Sequence, residues 1–452
     1  MTARTLADVP TVPGRAPLVG HALAMWRDPL RVLCSLGAAG PVVRVDLGIR
    51  PAYFLTEPGD VHDLLVTHGD SMAKGRLFER ARDFVGNGLA TSDGRLHRRM
   101  RGLMQPAFGH ARLTGYAEIM ADTVLRAASS WRHGDTIEFD REMYALTVTT
   151  VSRAMFSSTA TAPVVAEVQE LLPLVADGLY ARTLLPKPLT RVPLPANRRF
   201  DAAVARLREL VRVVIADHEA VGADRNDLLS ILLRSAEPLA PGGMSRTQLR
   251  DEVITIMMSG TETTAITLAW AFHELARWPD VAARLHAEVD TVIGERPVCR
   301  DDVDRLPYTN RFLNEVMRLH AVPVIMRRAT APLHLAGVTF PKDTDLCYSP
   351  YAVHRDARFF PRPERLDPDR WSEESDARLP RGAFTPFGAG RRKCIGSSFA
   401  WKELVIAVAA IAARWYLEPA GPTPREVMSA SIPRPHALPM RLVDRRDTAL
   451  PA

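Results

Sequence analysis

The stretch Phe387-Gly388-Ala389-Gly390-Arg391-Arg392-Lys393-Cys394-Ile395-Gly396 decides how this chain is read. Its glycines make a loop that can turn tightly, and the apolar run after it predicts a helix from about Cys394 to Arg414. A cysteine at a helix start, beside Arg391, Arg392 and Lys393, sits where the helix dipole and the cations favour thiolate over thiol. Gly390 allows the turn, and Gly396 allows a bulky planar group to come close. The plain competing reading is a buried structural cysteine. An iron–sulfur site needs more thiolates than this loop offers. A hydrolase nucleophile needs a His/Asn pair that the sequence does not place.

The rest of the chain narrows the choice. It has 452 residues, 46% of them hydrophobic, which exceeds one ordinary core and predicts a large, subdivided fold. Only 4 Cys are present, with no CxxC pair and no zinc spacing, so a disulfide scaffold is excluded and a reduced compartment expected. Lys+Arg is 58 against Asp+Glu 52, a net +6 spread along the chain without a block of like charge, which reads as a mixed surface rather than a nucleic-acid face. No apolar run approaches the ~18 residues of a spanning helix, and the polar, Pro-rich start lacks a signal-peptide core. A cytoplasmic protein without a membrane anchor is expected.

Periodicity predicts a mainly α fold with a small β-rich portion at roughly 38–60 and 322–350, and helices over roughly 61–320 and 394–415. Met25 to Leu36 reads as one helix. Residues 41–47 and 52–56 alternate as strands joined in hairpin fashion through Gly48 to Pro51. Pro and Gly interrupt the helical pattern at 74–95, 183–196 and 238–244. The longest helix runs from Ser245 to Trp278 and stops at Pro279, with Ser245 to Gln248 as a capping box. A Pro-rich coil follows from Asp356 to Pro386.

Through Phe387, Gly390, Arg392, Cys394 and Gly396, the opening stretch resembles the haem-binding signature F-x-x-G-x-R-x-C-x-G of the cytochrome P450 superfamily. The resemblance implies haem b with Cys394 as the axial thiolate, pushing electron density toward O–O cleavage. It also implies one P450 domain over 1–452, with the haem between the long helix and the helix of the Cys loop. Glu79, Glu138, Glu209, Glu274 and Glu315 all begin E-x-x-R spacings. Only Glu315-Val-Met-Arg318 lies in an apolar helix upstream of the Cys loop, and the other four read as surface or loop charges. Pro363 to Trp371 resembles the family's P-x-x-F-x-P-x-R-F segment, with Leu366 and Trp371 where Phe is usual, so Arg370 completes a structural network with Glu315 and Arg318. Ser259-Gly260-Thr261-Glu262-Thr263-Thr264 resembles the oxygen-site motif. Its weak helix former Gly260 would let the helix bulge, and Glu262 and Thr263 would serve proton delivery and hydrogen bonding to oxygen. A Thr-rich patch bonding its own carbonyls is the competing reading, and Ser259 stands where Ala or Gly is usual.

For the haem propionates the resemblance points to His97, Arg101, Arg327 and Arg392, since guanidinium–carboxylate pairing favours Arg. Arg98, Arg99 and Lys393 read as solvated charges or as a docking face for an acidic ferredoxin. Segments over the haem offer Leu77, Phe78, Phe84, Leu89, Leu179, Ile254, Met257, Met258, Val322, Val324, Ile325 and Ile432, a lining with little charge that suits a small apolar substrate. Each could equally be core.

A narrower likeness in Gly20-His21, Arg27 to Leu30, His97 to Phe108, Leu194 to Phe200 and Tyr348 to Ala352 is to actinobacterial members that oxidise sesquiterpenes, of the pentalenene and epi-isozizaene oxygenase type. Asp301 to Arg305 is one residue off a D-D-x-x-D cluster, so cyclase activity is not inferred. The expectation is a monomeric monooxygenase using O2, a ferredoxin and its reductase on a terpenoid of secondary metabolism. The same chemistry on a fatty acid, steroid or polyketide, a haem-thiolate isomerase or peroxygenase, and a haem sensor stay open.

Overall fold

The computed structural model describes residues 4–47, 50–157, 162–185, 187–221, 227–236, 243–429 and 431–447. The chain divides into two compact units, Met1–Glu79 with Asn314–Cys394 and Arg80–Leu313 with Ile395–Ala452.

The first unit is built on a five-stranded sheet in the order Val42–Leu47, Arg50–Leu55, Asp345–Tyr348, Ile325–Ala329, Met72–Ala73. The two N-terminal strands pair antiparallel with Leu47 opposite Arg50. Of the turn between them, Gly48 and Ile49 lie outside the described residues. The parallel contact of Arg50–Leu55 with Asp345–Tyr348 splices two segments nearly 300 residues apart into one sheet. Strand alternation covers both faces. Val42, Tyr53, Leu55, Leu346 and Tyr348 pack with Val61, Leu64 and Leu65. Val43, Val45, Ala52, Phe54, Met326 and Cys347 pack on the other side with Leu33 and Leu36. The helix predicted over Met25 to Leu36 is broken into Ala22–Arg27 and Pro29–Ser35. Pro29 cannot donate a backbone hydrogen bond, and Asp28 turns out of helical geometry to accept from Arg31 N at 3.2 Å.

The second unit is mainly helical. Its long helix Arg246–Arg277 packs along Phe139–Phe156 and along Ser397–Ala412, the helix that follows the Cys loop. At 32 residues it spans ~48 Å and is buried on nearly every side. Ser245 Oγ accepts from Gln248 N at 3.1 Å, but the return half of the expected capping box is not made. The Gln248 amide donates instead to Asn87 O (3.0 Å) and Glu252 Oε1 (2.8 Å).

Three further expectations about elements change. Residues 76–85, read as part of a loop, form the helix Arg76–Val85. Strands also occur outside the predicted β portions. Thr136–Glu138 and Trp415–Pro419 flank Pro439–Asp444 in one sheet, and Arg425–Val427 pairs with Arg434–His436. Thr136–Glu138, Arg425–Val427 and Arg434–His436 are three residues each, too short for a period-2 run to mark them in sequence, whereas Pro439–Asp444 does alternate and was missed. The helix after the Cys loop starts at Ser397, not Cys394, with Gly396 as its N-cap. Of the punctuation at 238–244, residues 238–242 lie outside the described set.

Candidate active site

In the first unit, the Cys loop is held by its own backbone. Gly388 N donates to Thr385 O (3.0 Å), Lys393 N to Gly390 O (3.1 Å) and Cys394 N to Phe387 O (2.9 Å). Gly388 and Gly390 adopt left-handed φ values of 67° and 64°. A Cβ on Gly390 would stand 2.1 Å from Leu65 O, so this glycine is required twice, by its turn and by the carbonyl passing beside it. The locked loop leaves Cys394 exposed. Arg392 is anchored by Nη2 to Met72 O (2.7 Å). Arg327 is buried in the neighbouring strand, where Nη1 donates to Met326 O (2.8 Å).

Glu315, Arg318 and Arg370 come together in this unit. Arg318 donates through Nε to Glu315 Oε2 (2.9 Å) and through Nη2 to Oε1 (2.8 Å), and Arg370 Nε donates to Oε1 (3.2 Å). Two further donors reach the same carboxylate, Asp367 N (3.0 Å) and Trp371 Nε1 (2.9 Å). Trp371, which departs from the usual Phe, therefore adds a hydrogen bond that Phe cannot make. Arg318 Nη1 also donates to His354 O (2.8 Å). Burial, with Arg318 beside it, pushes the His354 imidazole down to about 3, so the ring stays neutral next to the guanidinium. Of the other E-x-x-R spacings, Glu274 is not a surface charge. It is buried at the end of the long helix and accepts from Trp278 Nε1 at 3.0 Å.

In the second unit, His97 and Arg101 lie one turn apart on the helix Gly94–Met104, His97 buried and Arg101 half-buried. The long helix runs unbroken through Ser259 to Thr264, so the expected bulge is not formed. Its hydroxyls bond back to carbonyls one turn earlier: Ser259 Oγ to Thr255 O (2.6 Å), Thr263 Oγ1 to Ser259 O (2.9 Å), Thr264 Oγ1 to Gly260 O (3.3 Å) and Thr267 Oγ1 to Thr263 O (2.8 Å). Gly260 serves packing, since a Cβ there would meet Val151 Cγ2 at 3.3 Å. Glu262 is buried, and burial pushes its carboxyl up to about 7, against smaller downward pulls from Ser429 and Ser431. A group with that value exchanges a proton near neutral pH.

The apolar candidates divide between the units. Leu77 and Val324 pack on the face of the sheet holding Phe54 and Met326, and Ile325 packs on the opposite face. Phe78 has the Lys74 ammonium 6.0 Å from its ring centroid, and Val322 O accepts from Tyr351 N at 3.2 Å. In the second unit, Phe84 meets Phe200 edge-on at 5.2 Å, with Arg182 over both rings. Leu179, Ile254, Met257 and Ile432 are buried and Met258 is half-buried. Leu89 N donates to Glu252 Oε2 (2.7 Å) and Asn87 N to Asp251 Oδ2 (2.8 Å), so two carboxylates of the long helix clamp the loop 86–92. The clamp escaped sequence reading because its partners are over 160 residues apart, at separations of 163 and 164. Gly88 sits inside it, where a Cβ would lie 2.1 Å from Thr255 Oγ1 and 2.6 Å from Asp251 O. Gly88→Ala is therefore expected to destabilise the protein by about 1–3 kcal/mol, read from urea unfolding, and to speed proteolysis within 86–92.

Sequence reading also missed Glu403. It lies fully buried on the helix Ser397–Ala412, and neither carboxylate oxygen has a hydrogen-bond partner of normal geometry. Burial pushes it up to about 8, with Thr150 holding it down slightly. It is therefore a neutral acid in the folded protein. The folded value lies above the ordinary 4.5, so the stability it carries is complete below 4.5 and is lost as pH rises through about 8. Glu403→Gln keeps the shape without the charge. Its melting temperature is expected to gain on the native protein as pH rises over that window, and a constant difference would contradict the assignment.

The acidic run at 301–305 is accounted for structurally. Asp302 is buried, accepts from Arg296 Nη1 (2.7 Å) and Cys299 N (2.8 Å), and is held down at about 2, chiefly by Arg296. Among the described residues no group of three or more His, Cys, Asp or Glu could hold a metal ion. A single exposed cysteine on a rigid loop suits a metal that brings most of its ligands with it, as a macrocycle does, and not a zinc or iron–sulfur centre. Gly396 fits the same picture. Its φ is −89°, and a Cβ there would meet only Phe108 Cε1 at an ordinary 3.6 Å, so the protein itself does not demand glycine at that place.

These features suit a protein that would hold a planar metal group through one thiolate. The family model for cytochrome P450 matches residues 10–437, and the chain belongs to that family, the haem-thiolate monooxygenases that use O2 and a redox partner. It is 42% identical to cyclooctatin synthase of Streptomyces melanosporofaciens over 95% of this chain and 94% of the relative. It is 40% identical to cyclooctat-9-en-7-ol 5-monooxygenase of the same organism, over 90% and 89%. Pentalenene oxygenase of Streptomyces avermitilis is 37% identical over 96% and 97%. No helix among the described residues is long and apolar enough to cross a membrane.

Proposed function

We propose that this enzyme oxidises a terpenoid of secondary metabolism, with Cys394 as the axial thiolate of its haem and a reduced ferredoxin as the electron donor in the cytoplasm. The observation that carries the substrate class is near-full-length similarity to a pentalenene oxygenase and a cyclooctat-9-en-7-ol monooxygenase. The sparse charge among the candidate lining residues supports it. When bound, the haem supplies the chemistry of O2 activation and insertion of one oxygen atom into a C–H bond.

The chain's own residues do the rest. The loop's backbone bonds and the Gly390 turn hold Cys394 in one position, so its thiolate is presented without reorganisation. His97, Arg101, Arg327 and Arg392 supply cations and donors for the haem carboxylates. Turnover consumes two electrons and two protons per O2, one oxygen atom leaving as water. Glu262, ionisable near neutral pH and buried in the long helix, is the group that passes protons inward. Thr263 must release Ser259 O before its hydroxyl can donate elsewhere, at a cost of about 1 kcal/mol for the exchanged bond.

The test is incubation of the purified holoenzyme with pentalenene and a panel of other sesquiterpenes, a ferredoxin and its reductase, followed by product analysis. Oxygenated products of at least one hydrocarbon are expected. Turnover confined to fatty acids or steroids would overturn the substrate class.

A further inference from the structure

The second unit contains a polar cluster around Glu262 whose other members the known chemistry leaves without a role. Glu262 Oε1, Tyr144 Oη and Ser431 Oγ are each buried and each lack a protein partner of normal hydrogen-bond geometry, although the Ser429 and Ser431 hydroxyls stand close enough to Glu262 to lower its carboxyl. They come from three separate elements: the long helix, the helix Phe139–Phe156, and the turn between Arg425–Val427 and Arg434–His436. Ser429 Oγ, in the same turn, donates to Ile432 O (2.8 Å) and accepts from Ser431 N (3.3 Å). Beside them Arg434 makes a two-point pair with Asp177, through Nη2 to Oδ2 (2.7 Å) and Nε to Oδ1 (3.3 Å).

All these groups share one electrostatic neighbourhood. Glu262 senses Ser429, Ser431, Asp177 and Arg434, while Tyr144 senses Glu262, Arg434, Asp177 and Asp140. Exposure falls along the set. The side chains of Asp177 and Arg434 are 38% and 21% exposed, and Tyr144 and Glu262 retain 7% and 6% as residues. The ion pair is thus the solvent-exposed part of the set, and Tyr144 and Glu262 are the buried part. Buried polar atoms are almost always satisfied, and several unpaired ones in a polar space are where ordered water binds with two to four partners.

We propose that Tyr144, Ser431 and the Arg434–Asp177 pair form the proton-supply route to Glu262, with the ion pair at its outer end. The inference rests on the reading of Glu262 as proton donor. A proton enters beside Asp177, passes along water held by the Ser431 and Tyr144 hydroxyls, and bonds to Glu262 Oε1. Each hydroxyl accepts one proton as it gives up another, and no electron moves. Burial pushes the Tyr144 phenol well above its ordinary value, so it relays as a neutral hydroxyl and not as phenolate. Tyr144, Ser431, Arg434 and Asp177 are positioning residues, since only Glu262 delivers the proton.

The test uses the holoenzyme and two readouts. The first is the infrared carboxyl band of Glu262 in the resting enzyme, assigned by its loss in Glu262→Gln and titrated with pH. Asp177→Asn, which removes a nearby negative charge, is expected to lower its midpoint. Arg434→Gln is expected to raise it, and Arg434→Lys to restore it. The second is the share of electrons lost as hydrogen peroxide during turnover on pentalenene. Tyr144→Phe and Arg434→Gln are expected to raise that share several-fold and to enlarge the solvent isotope effect, with the thiolate Soret band of the reduced CO complex unchanged.

If Glu262→Gln couples like the native enzyme, the reading of Glu262 itself falls. If Glu262→Gln uncouples while the Tyr144 and Arg434 variants keep native coupling and the native midpoint, the route is wrong and Glu262 stands.

Discussion

Arg318→Ala is expected to cost about 3–5 kcal/mol of stability, read from urea unfolding of the holoenzyme, because it takes the nearer cation and two of five donors from a buried carboxylate. Glu315 and Arg318 are both fully buried. Removing the guanidinium takes both of its bonds from Glu315 and leaves His354 O and Arg365 O without the donors at 2.8 and 3.2 Å. Arg318→Lys is expected to recover little, since one ammonium cannot reproduce a planar fork with four acceptor contacts. Glu315→Gln should also be damaging, because an amide NH2 would then face guanidinium or indole donors. Arg370→Ala is expected to cost least, as only two long bonds are lost, 3.2 Å to Glu315 Oε1 and 3.4 Å to Arg362 O. A loss at Arg318 no larger than that at Arg370 would show that the network is not organised around the Glu315–Arg318 pair.

Cys394→Ser is expected to abolish the red-shifted Soret band of the reduced CO complex and all monooxygenase turnover, with far-UV circular dichroism unchanged. The fold should survive because the loop depends on backbone bonds, including Cys394 N to Phe387 O, and on the left-handed glycines, none of which involves the sulfur. A serine hydroxyl does not ionise in the accessible pH range and is a poor axial ligand beside thiolate. Cys34→Ser and Cys299→Ser, also exposed, serve as controls and should keep the band. Retention of the band in Cys394→Ser would move the ligand elsewhere.

What could be read before the structure depended on range. The Cys loop was legible because its parts are contiguous: Gly390 and Cys394 lie four positions apart, and left-handed turns advertise themselves as glycine. The long helix showed through its cap at Ser245 and its stop at Pro279. Glu315 and Arg318 were readable as a pair at helical spacing, whereas Trp371 as a fifth donor to Glu315 was not, because it arrives from the 3-10 turn Pro368–Trp371, 56 residues on. The Ser259–Thr264 segment carried two readings, a bulge or a run of back-bonded hydroxyls. Sequence could not choose, since both use the same residues; the geometry is the second. Glu403 looked like any helix glutamate, and only its burial makes it a neutral acid.

By itself, then, the sequence determined the ligand chemistry, the mainly helical class and the positions where backbone geometry demands glycine. Those features are set within a few residues of chain, by φ values and helical spacing. Tertiary structure alone decided which carboxylates are neutral near physiological pH, which clamp the loop 86–92, and which polar side chains meet beside Glu262. Each depends on burial and on partners brought from distant segments, and desolvation has no signature in local sequence.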